Sequence, residues 1–339
     1  MLGAAVIGTG YWGRNHVRVY KELKLEGLID KLKICDLDKK QVGRLSAAFG
    51  VDYVTDFRDI VSDPDMQAIS IVAPSKMHYQ LAKEFMEAGK DVLLEKPMTM
   101  NIEEAKELVD ISTRRGRILM AGHIFRYHPV VQELKLKINA GELGKLQILV
   151  GNRLTFGVPR QDMGVIYALG IHELDTFCYL LGVDYPLAIM AVASSSYRQD
   201  IEETAMITMD FGDTKGYALE SWLVPAYGRR RDLVVVGSER SARVDYLSSQ
   251  ELYIFDTRIT TENGTPVRVE NDGEHTIPIP YAEPLKEELK HFISCVNSRE
   301  KPVSDGVVGL RAVQMAEAAL TSARTNRIMK LDNQRYIEA

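Results

Sequence analysis

The sequence predicts a two-part α/β protein, a doubly wound parallel sheet followed by an α+β domain with a large, mainly antiparallel sheet. Three observations carry this. A short apolar strand at Ala4–Ile7 runs into Gly8-Thr9-Gly10-Tyr11-Trp12-Gly13 and then a helical pattern at Val17, Tyr20 and Leu23. Strand and helix patterns alternate with short links as far as Gly122, as expected of a parallel sheet covered on both faces. From Ala188 to about Ile279, strand-like runs follow one another between turn residues. At 339 residues the chain has room for about two domains, expected at 1–122 and 123–339.

Each element has its own signal. Leu32–Cys35 is a strand, and Lys39–Phe49 a helix. Asp56–Val61 is a short helix capped by Asp56 or Thr55. Ala68–Ala73 reads as a buried strand. Met77–Ala88 is an amphipathic helix closed by Gly89. Asp91–Leu94 is a strand, and Asn101 caps a helix to about Arg115 with Glu103 and Glu104 in its first turn. Arg117–Ala121 is the last strand of this series. Beyond it, Pro129–Ala140 is a helix ended by Gly141, Leu146–Phe156 a strand, and Val165–Leu181 a helix ended by Gly182. The following turns fall at Gly212-Asp213, Gly237-Ser238, Ser248-Ser249, Asn263-Gly264 and Asp272-Gly273. Helices return at Leu285–Ser298 and Val307–Thr325.

The glycine loop has a mechanism. Gly8 permits a tight turn, Gly10 lets a pyrophosphate approach the backbone, and Gly13 lets the helix pack close to its strand, with the helix N-terminus facing the negative charge. The strand–turn–helix context and Asp36, placed after the second strand to accept the adenosine ribose, complete the dinucleotide fingerprint. No arginine directly follows Asp36 and Asp38 adds negative charge, so NAD is expected over NADP.

Ligands of open α/β sheets bind beyond the carboxyl ends of the strands. There the chain places Gly8–Gly13, Asp36, Pro74-Ser75-Lys76-Met77-His78, Glu95-Lys96-Pro97 and Gly122-His123. Lys96 is held by the proline that follows it. Read from position alone it is a general base or a surface loop lysine. Beside an oxidised nicotinamide, positive charge and desolvation both favour its neutral amine, which takes a proton from a hydroxyl. His172 lies three residues before Asp175 on one helix face, where an acid orients and charges an imidazole; a histidine merely satisfied by its neighbour fits equally. No H-x-x-H, H-E-x-x-H or Cys/His cluster suggests a metal.

A net charge of −5 gives no reason to expect nucleic acid or an anionic membrane as partner. No apolar run reaches bilayer length. The N-terminus enters the first strand directly, so no signal peptide is expected. Cys35, Cys178 and Cys295 are scattered and read as reduced structural thiols of a cytoplasmic protein.

At these residues the chain resembles the glucose–fructose oxidoreductase/inositol dehydrogenase (Gfo/Idh/MocA) family. Gly8–Gly13 resembles its dinucleotide loop, Pro74–His78 its Pro-x-x-x-His turn beside the cofactor, and Glu95-Lys96-Pro97 its Glu-Lys-Pro hallmark. Gly122-His123-Ile124-Phe125-Arg126-Tyr127-His128-Pro129 is similar to its domain-crossing segment, and Gly170-Ile171-His172-Glu173-Leu174-Asp175 to its Gly-x-His-x-x-Asp helix. The resemblance implies a Rossmann domain, a sheet domain whose outer face makes a homodimer or homotetramer, catalytic roles for Lys96 and His172, and cofactor contacts from Gly8, Thr9, Gly10, Tyr11, Trp12, Gly13, Asp36, Pro74, Ser75, His78, Glu95 and Lys96. Within the family the likeness is nearest to dehydrogenases acting at C3 of UDP-N-acetylglucosamine or its uronic acid. A nucleotide sugar needs cations for its pyrophosphate. Arg153, Arg160 and the run Arg229–Arg231 are candidates, and Lys96, Arg126, Tyr167 and His172 are also expected at the substrate.

One departure bears on mechanism. Many family dehydrogenases carry an Asp four residues before the histidine, where this chain has Ala168 after Tyr167. Either Lys96 and His172 suffice, or Tyr167 takes part, or the chemistry is lost. The activities implied are therefore oxidation of a sugar secondary hydroxyl by NAD, on a nucleotide sugar, a free sugar or an inositol. A dinucleotide-dependent glycosidase and a non-catalytic dinucleotide-binding regulator are the alternatives.

Overall fold

The computed structural model describes residues 2–226, 228–248, 250–332 and 335–338, with side chains described outside 332 and 335–338. Ser249 of the Ser248-Ser249 turn lies outside the described residues. The chain divides into two compact units, Met1–Tyr127 with Pro284–Val313, and His128–Glu283 with Gln314–Ala339.

The first unit is built on six parallel strands, β1 (Gly3–Ile7), β2 (Lys31–Cys35), β3 (Asp52–Val54), β4 (Met66–Ile71), β5 (Asp91–Glu95) and β6 (Leu119–Gly122). They lie in the order β3-β2-β1-β4-β5-β6. This order reverses direction between β1 and β4, the place where doubly wound sheets bind dinucleotides. Helices α1 (Tyr11–Leu25), α2 (Lys39–Phe49), α3 (Arg58–Val61), α4 (His78–Glu87) and α5 (Ile102–Arg115) link the strands. The cap expected at Asp56 or Thr55 is not formed: α3 begins at Arg58 with Phe57 in the cap position and no side-chain cap bond. The Asp38 side chain accepts from the backbone of Lys40 and Gln41, and the Asn101 side chain from Glu103 and Glu104. The three-residue β3 carries no alternation and has no sequence signal of its own. Strand β4 starts two residues before the expected Ala68 and stops at Ile71.

The expected boundary at 122/123 puts the late helices in the second domain, yet Pro284–Val313 lies in the first unit. The reason is apolar. Leu285, Leu289, Phe292, Ile293 and Val296 of a late helix share one core with Val17, Tyr20 and Leu23 of α1. Arg299 adds a salt bridge to the buried Asp91 at 2.6 Å.

The second unit holds helices α6 (Pro129–Asn139) and α7 (Ile171–Leu181) and a ten-stranded sheet. In chain order the strands are β7 (Leu146–Thr155), β8 (Ala188–Ser194), β9 (Thr204–Phe211), β10 (Thr214–Ser221), β11 (Arg229–Gly237), β12 (Ser241–Asp245), β13 (Glu251–Glu262), β14 (Thr265–Pro278), β15 (Met329–Asp332) and β16 (Arg335–Glu338). The late helix named above is α8 (Pro284–Ser298), and α9 (Gly306–Thr325) continues from the first unit into the second. The sheet order is β14-β13-β12-β11-β7-β10-β9-β8-β15-β16. Strands β7 and β10 pair parallel, and the other neighbours pair antiparallel.

Helix α7 is buried on almost every side, which explains its apolar composition. It rests on β7 and β10 through glycines. A Cβ on Gly151 would come within 2.5 Å of the Glu173 side chain, and one on Gly216 within 2.8 Å of Phe177. The single helix expected at Val165–Leu181 is in fact two pieces, a π turn at Ile166–Gly170 followed by α7. Apolar spacing alone cannot reveal the wider turn. Glu202 supports its start, its carbonyl accepting from Val165 N–H at 3.0 Å and its carboxylate from Ile166 N–H at 3.0 Å. Among the described residues no helix is long and apolar enough to cross a membrane.

Candidate active site

The glycine loop joins β1 to α1 as its sequence demands. Gly8 has φ +96°, and a Cβ there would meet the Val72 carbonyl at 2.7 Å. A Cβ on Gly13 would lie 2.0 Å from the Gly8 carbonyl, so the helix approaches the strand only because both are bare. At Gly10 a Cβ would meet nothing within 4 Å. The protein itself therefore leaves that space open, and a side chain there would fill a cradle fit for a pyrophosphate.

Asp36 closes one side of the loop. Its Oδ2 accepts from the Thr9 backbone at 2.7 Å and hydroxyl at 2.8 Å. Gln41 donates to the same oxygen at 3.3 Å. Its Oδ1 accepts from Asp38 N–H at 3.0 Å, which leaves a lone pair of Oδ1 for a ribose hydroxyl. The residues present thus fit a dinucleotide, with Gly8–Gly13 at the pyrophosphate and Asp36 at the ribose.

Beneath the loop, Glu95 ties three segments together. Its Oε1 accepts from Trp12 Nε1 at 2.7 Å and His16 Nε2 at 3.0 Å. Its Oε2 accepts from Lys96 N–H at 3.2 Å. Burial alone would raise the Glu95 pKa, but His16, Trp12 and the charge of Lys96 outweigh it and hold the carboxyl below its usual range. The ionised Glu95 therefore braces both the loop and the backbone of Lys96. The Lys96–Pro97 peptide is cis. Pro74 precedes a short 3₁₀ turn at Ser75–Met77, with Ser75 buried. His78 is a brace too, with its ring nitrogens 2.8 Å from the Pro97 carbonyl and 2.9 Å from the Ala73 carbonyl. Burial depresses its pKa, which favours the neutral ring. Tyr11 of the same loop is 91% exposed. Arg126 donates to the Val303 carbonyl at 2.9 Å.

In the second unit, His172 and Asp175 are both buried on α7. The Tyr167 hydroxyl donates to Glu317 at 2.9 Å. Between them, α7 presents Glu173 to the sheet. Register sets Glu220, Arg153 and Arg231 side by side on β10, β7 and β11. Arg153 places Nε 2.7 Å from both Glu173 oxygens, and its guanidinium stacks 4.8 Å from the Tyr246 ring centre.

This corrects one expectation. Arg153 is not a surface cation for pyrophosphate but a buried partner of Glu173, because its strand position points it under α7. Glu220 lies in the same cluster. Burial and the negative charge of Glu173 push its pKa well above the usual carboxylate range. Arg160 is engaged by Asp162 through two bonds of 2.9 and 2.7 Å, and Arg230 pairs with Asp232 at 2.9 Å. Arg160 and Arg229 remain at the surface.

Sequence reasoning does not single out His16, Glu220 or the Glu173 carboxylate. Two signals were present. His16 falls one helical turn after Trp12 and so shares its face. Glu173 interrupts an otherwise apolar helix, a position where a charge needs a buried partner.

Comparison with known proteins places this fold and loop among two-domain dinucleotide-dependent oxidoreductases. A family model described as an oxidoreductase family with an NAD-binding Rossmann fold matches residues 2–123. The C-terminal alpha/beta domain of the same oxidoreductase family matches residues 137–331. The chain belongs to the Gfo/Idh/MocA oxidoreductase family, and its N-terminal domain is an NAD-binding Rossmann domain. It is 30% identical to a UDP-N-acetylglucosamine 3-dehydrogenase of Acidithiobacillus ferrooxidans over 93% of this chain and 95% of that protein. A solved structure of that enzyme superposes with a TM-score of 0.80 at 26% identity, covering 95% of this chain and 97% of that one. The chain is 25% identical to an NAD(+)-dependent scyllo-inositol 2-dehydrogenase of Bacillus subtilis over 98% of this chain and 96% of that protein. A levoglucosan dehydrogenase solved with NADH and levoglucosan shares the fold, with a TM-score of 0.84 at 20% identity over 98% of this chain and all of that one.

Proposed function

We propose that this protein is an NAD-dependent dehydrogenase that oxidises a secondary hydroxyl of a sugar, with C3 of UDP-N-acetylglucosamine or a related nucleotide sugar as the substrate. The observation that carries the reading is the 30% identity, sustained along nearly the whole chain, to an enzyme of that specificity. Lys96 and His172 stand in the Glu95-Lys96-Pro97 and Gly170–Asp175 segments that resemble the family's motifs.

Bound NAD supplies the hydride acceptor. The chain's own work concerns the hydroxyl proton. Lys96 takes it on Nζ while His172 hydrogen-bonds the oxygen as negative charge builds there, or the two exchange these roles. Glu95 fixes the backbone from which Lys96 projects. Gly8, Thr9, Gly10, Tyr11, Trp12 and Gly13 hold the dinucleotide with Asp36, Pro74, Ser75 and His78. Arg160 and Arg229 are the surface cations for a substrate pyrophosphate, and Arg126 and Tyr167 are further candidates to contact the substrate.

The reading includes a homo-oligomer in the cytoplasm. Among the described residues no disulfide links Cys35, Cys178 and Cys295, which are all buried. Burial and the nearby Asp36 push the Cys35 thiol up to about 12, so it is an inert thiol.

A second reading, a free-sugar or inositol dehydrogenase, is favoured by the inositol dehydrogenases among the relatives. Ala168 weighs against it, because the Asp of the inositol-type relay is absent. The test is absorbance at the NADH band after mixing protein, NAD and UDP-N-acetylglucosamine, with and without a 2-oxoacid acceptor. A rise, even a single turnover, supports the nucleotide-sugar reading. A flat trace with confirmed NAD binding, followed by a rise with inositols or free sugars, moves the assignment to the second.

A further inference from the structure

His172 stands just past a joint in its helix. The π turn Ile166–Gly170 runs into α7 at Ile171, so no continuous α-helical ladder fixes the bearing of the residues that follow. His172 is the second residue beyond that joint, and it is buried. Its bearing has to be set from outside the helix.

Two acidic side chains support this step, one on each side of the histidine. On the C-terminal side is Glu173, fully buried, with Arg153 Nε of β7 2.7 Å from both of its oxygens. On the N-terminal side is Glu220 of β10, also fully buried. A Cβ on Gly170 would stand 3.7 Å from Glu220 Cγ, so Glu220 lies under the last residue of the π turn. The parallel pairing of β7 with β10 sets Glu220 beside Arg153. The charge of that one guanidinium therefore acts on both carboxyl groups.

This arrangement is made for direction and not for stability. Among the described residues neither Glu220 oxygen has a hydrogen-bond partner, a costly state for a buried carboxyl. A buried ion pair contributes little net stability over apolar packing of the same volume, but its geometry is specific. The sheet also gives way to bring the pair together. A Cβ on Gly151 would come within 2.5 Å of Glu173 Cγ, so α7 reaches this depth only over a bare backbone.

We propose that Arg153 and Glu220 are positioning residues for His172, holding the Gly170–Glu173 step from both sides and thereby setting the bearing of the imidazole. The inference rests on the catalytic role given to His172 above. Arg153 and Glu220 act through the backbone of this step and touch neither substrate nor cofactor.

The first test needs no turnover. NMR of the full chain isotopically labelled at histidine reports the His172 ring, assigned by its loss in His172→Gln. Arg153→Lys keeps the charge but loses the planar guanidinium, and Glu220→Ala empties the space under Gly170. Both should shift the His172 ring signals, whereas Glu220→Gln, of the same size, should leave them in place. His78, in the first unit, should be unmoved in every variant. The second test is turnover of folded enzyme with NAD and UDP-N-acetylglucosamine. Arg153→Lys and Glu220→Ala should lower kcat about 10- to 100-fold, the scale of a small misplacement, with KM for NAD unchanged, and Glu220→Gln should restore kcat. A purely structural role would lower the unfolding temperature and move neither readout. If Arg153→Lys fails to fold, the Glu220→Ala and Glu220→Gln pair carries both tests. Unmoved His172 signals in the folded variants overturn the proposal whatever the substrate. So does an unchanged kcat where His172→Gln abolishes turnover. Full turnover in His172→Gln would instead bring down the catalytic reading of His172, and the proposal with it.

Discussion

Arg153 and Glu173 form a pair inside the second unit, with the guanidinium Nε 2.7 Å from both carboxylate oxygens and side-chain exposures of 2% and 0%. Removing one partner of such a pair strands the other charge in the interior, at a cost of about 3–5 kcal/mol. Arg153→Ala should therefore lower unfolding stability by that amount in urea titration. Arg153→Met with Glu173→Met should lose much less. A residue that served only to bind pyrophosphate would instead raise KM and leave stability unchanged.

Stability should fall on the acid side through His128. Burial, helped by the Arg153 charge, lowers its pKa from the usual 6.5 to about 4. The unfolded chain then binds the extra proton, so the contribution is intact above about 6.5 and is lost as pH falls towards about 4. Between pH 7.5 and 5 the loss should be about 2 kcal/mol. His128→Gln should flatten this slope when urea midpoints are compared across pH.

Glu220 acts on the opposite limb. Its raised pKa means that its contribution is present at pH below the ordinary carboxylate value and is lost as pH rises through the folded value. Glu220→Gln, which keeps the neutral shape, should reduce the loss of stability on the alkaline side. An unchanged slope in that variant would show that the carboxyl is already ionised.

Lys96→Ala should cut turnover at least about 100-fold, the lower range for general acid–base catalysis. NAD binding, followed by fluorescence, should persist because the Glu95 brace accepts from the Lys96 backbone and not from its side chain. Near-normal turnover would remove Lys96 from the proton transfer.

Asp36→Ala should weaken NAD binding by about 1 kcal/mol or more, since it deletes a charged hydrogen-bond acceptor. Part of that loss is indirect, because Thr9 is anchored on the same carboxylate. Calorimetric titration with NAD and NADP should show the preference narrowing.

Most of the first unit was legible because its information is local. Helix α2 spans the residues that their spacing indicates, and Asn101 caps α5 as its side chain predicts. The glycine loop was legible because each glycine answers a steric demand. What escaped the sequence was set by distant packing. The late helix α8 looks like any amphipathic helix, and only the apolar surface of α1 determines which unit it joins. Arg153 looked like a surface cation because strand alternation gives the face but not what covers it. Glu173, one residue after the histidine, has its partner on a strand twenty residues earlier, which local spacing does not show.

The π turn before α7 has a consequence for how this chain can change over generations. One surplus residue is stored in Ile166–Gly170. Losing a single codon there would tidy the segment into a regular helix with hardly any change in hydropathy. It would also turn everything upstream by about 100° relative to α7, the angle of one helical residue. Either Glu202 would lose the backbone N–H groups it now holds, or His172 and Glu173 would swing off their bearings together. Length at this point is therefore under tighter constraint than residue identity, and lineages should tolerate substitutions here long before they tolerate a deletion.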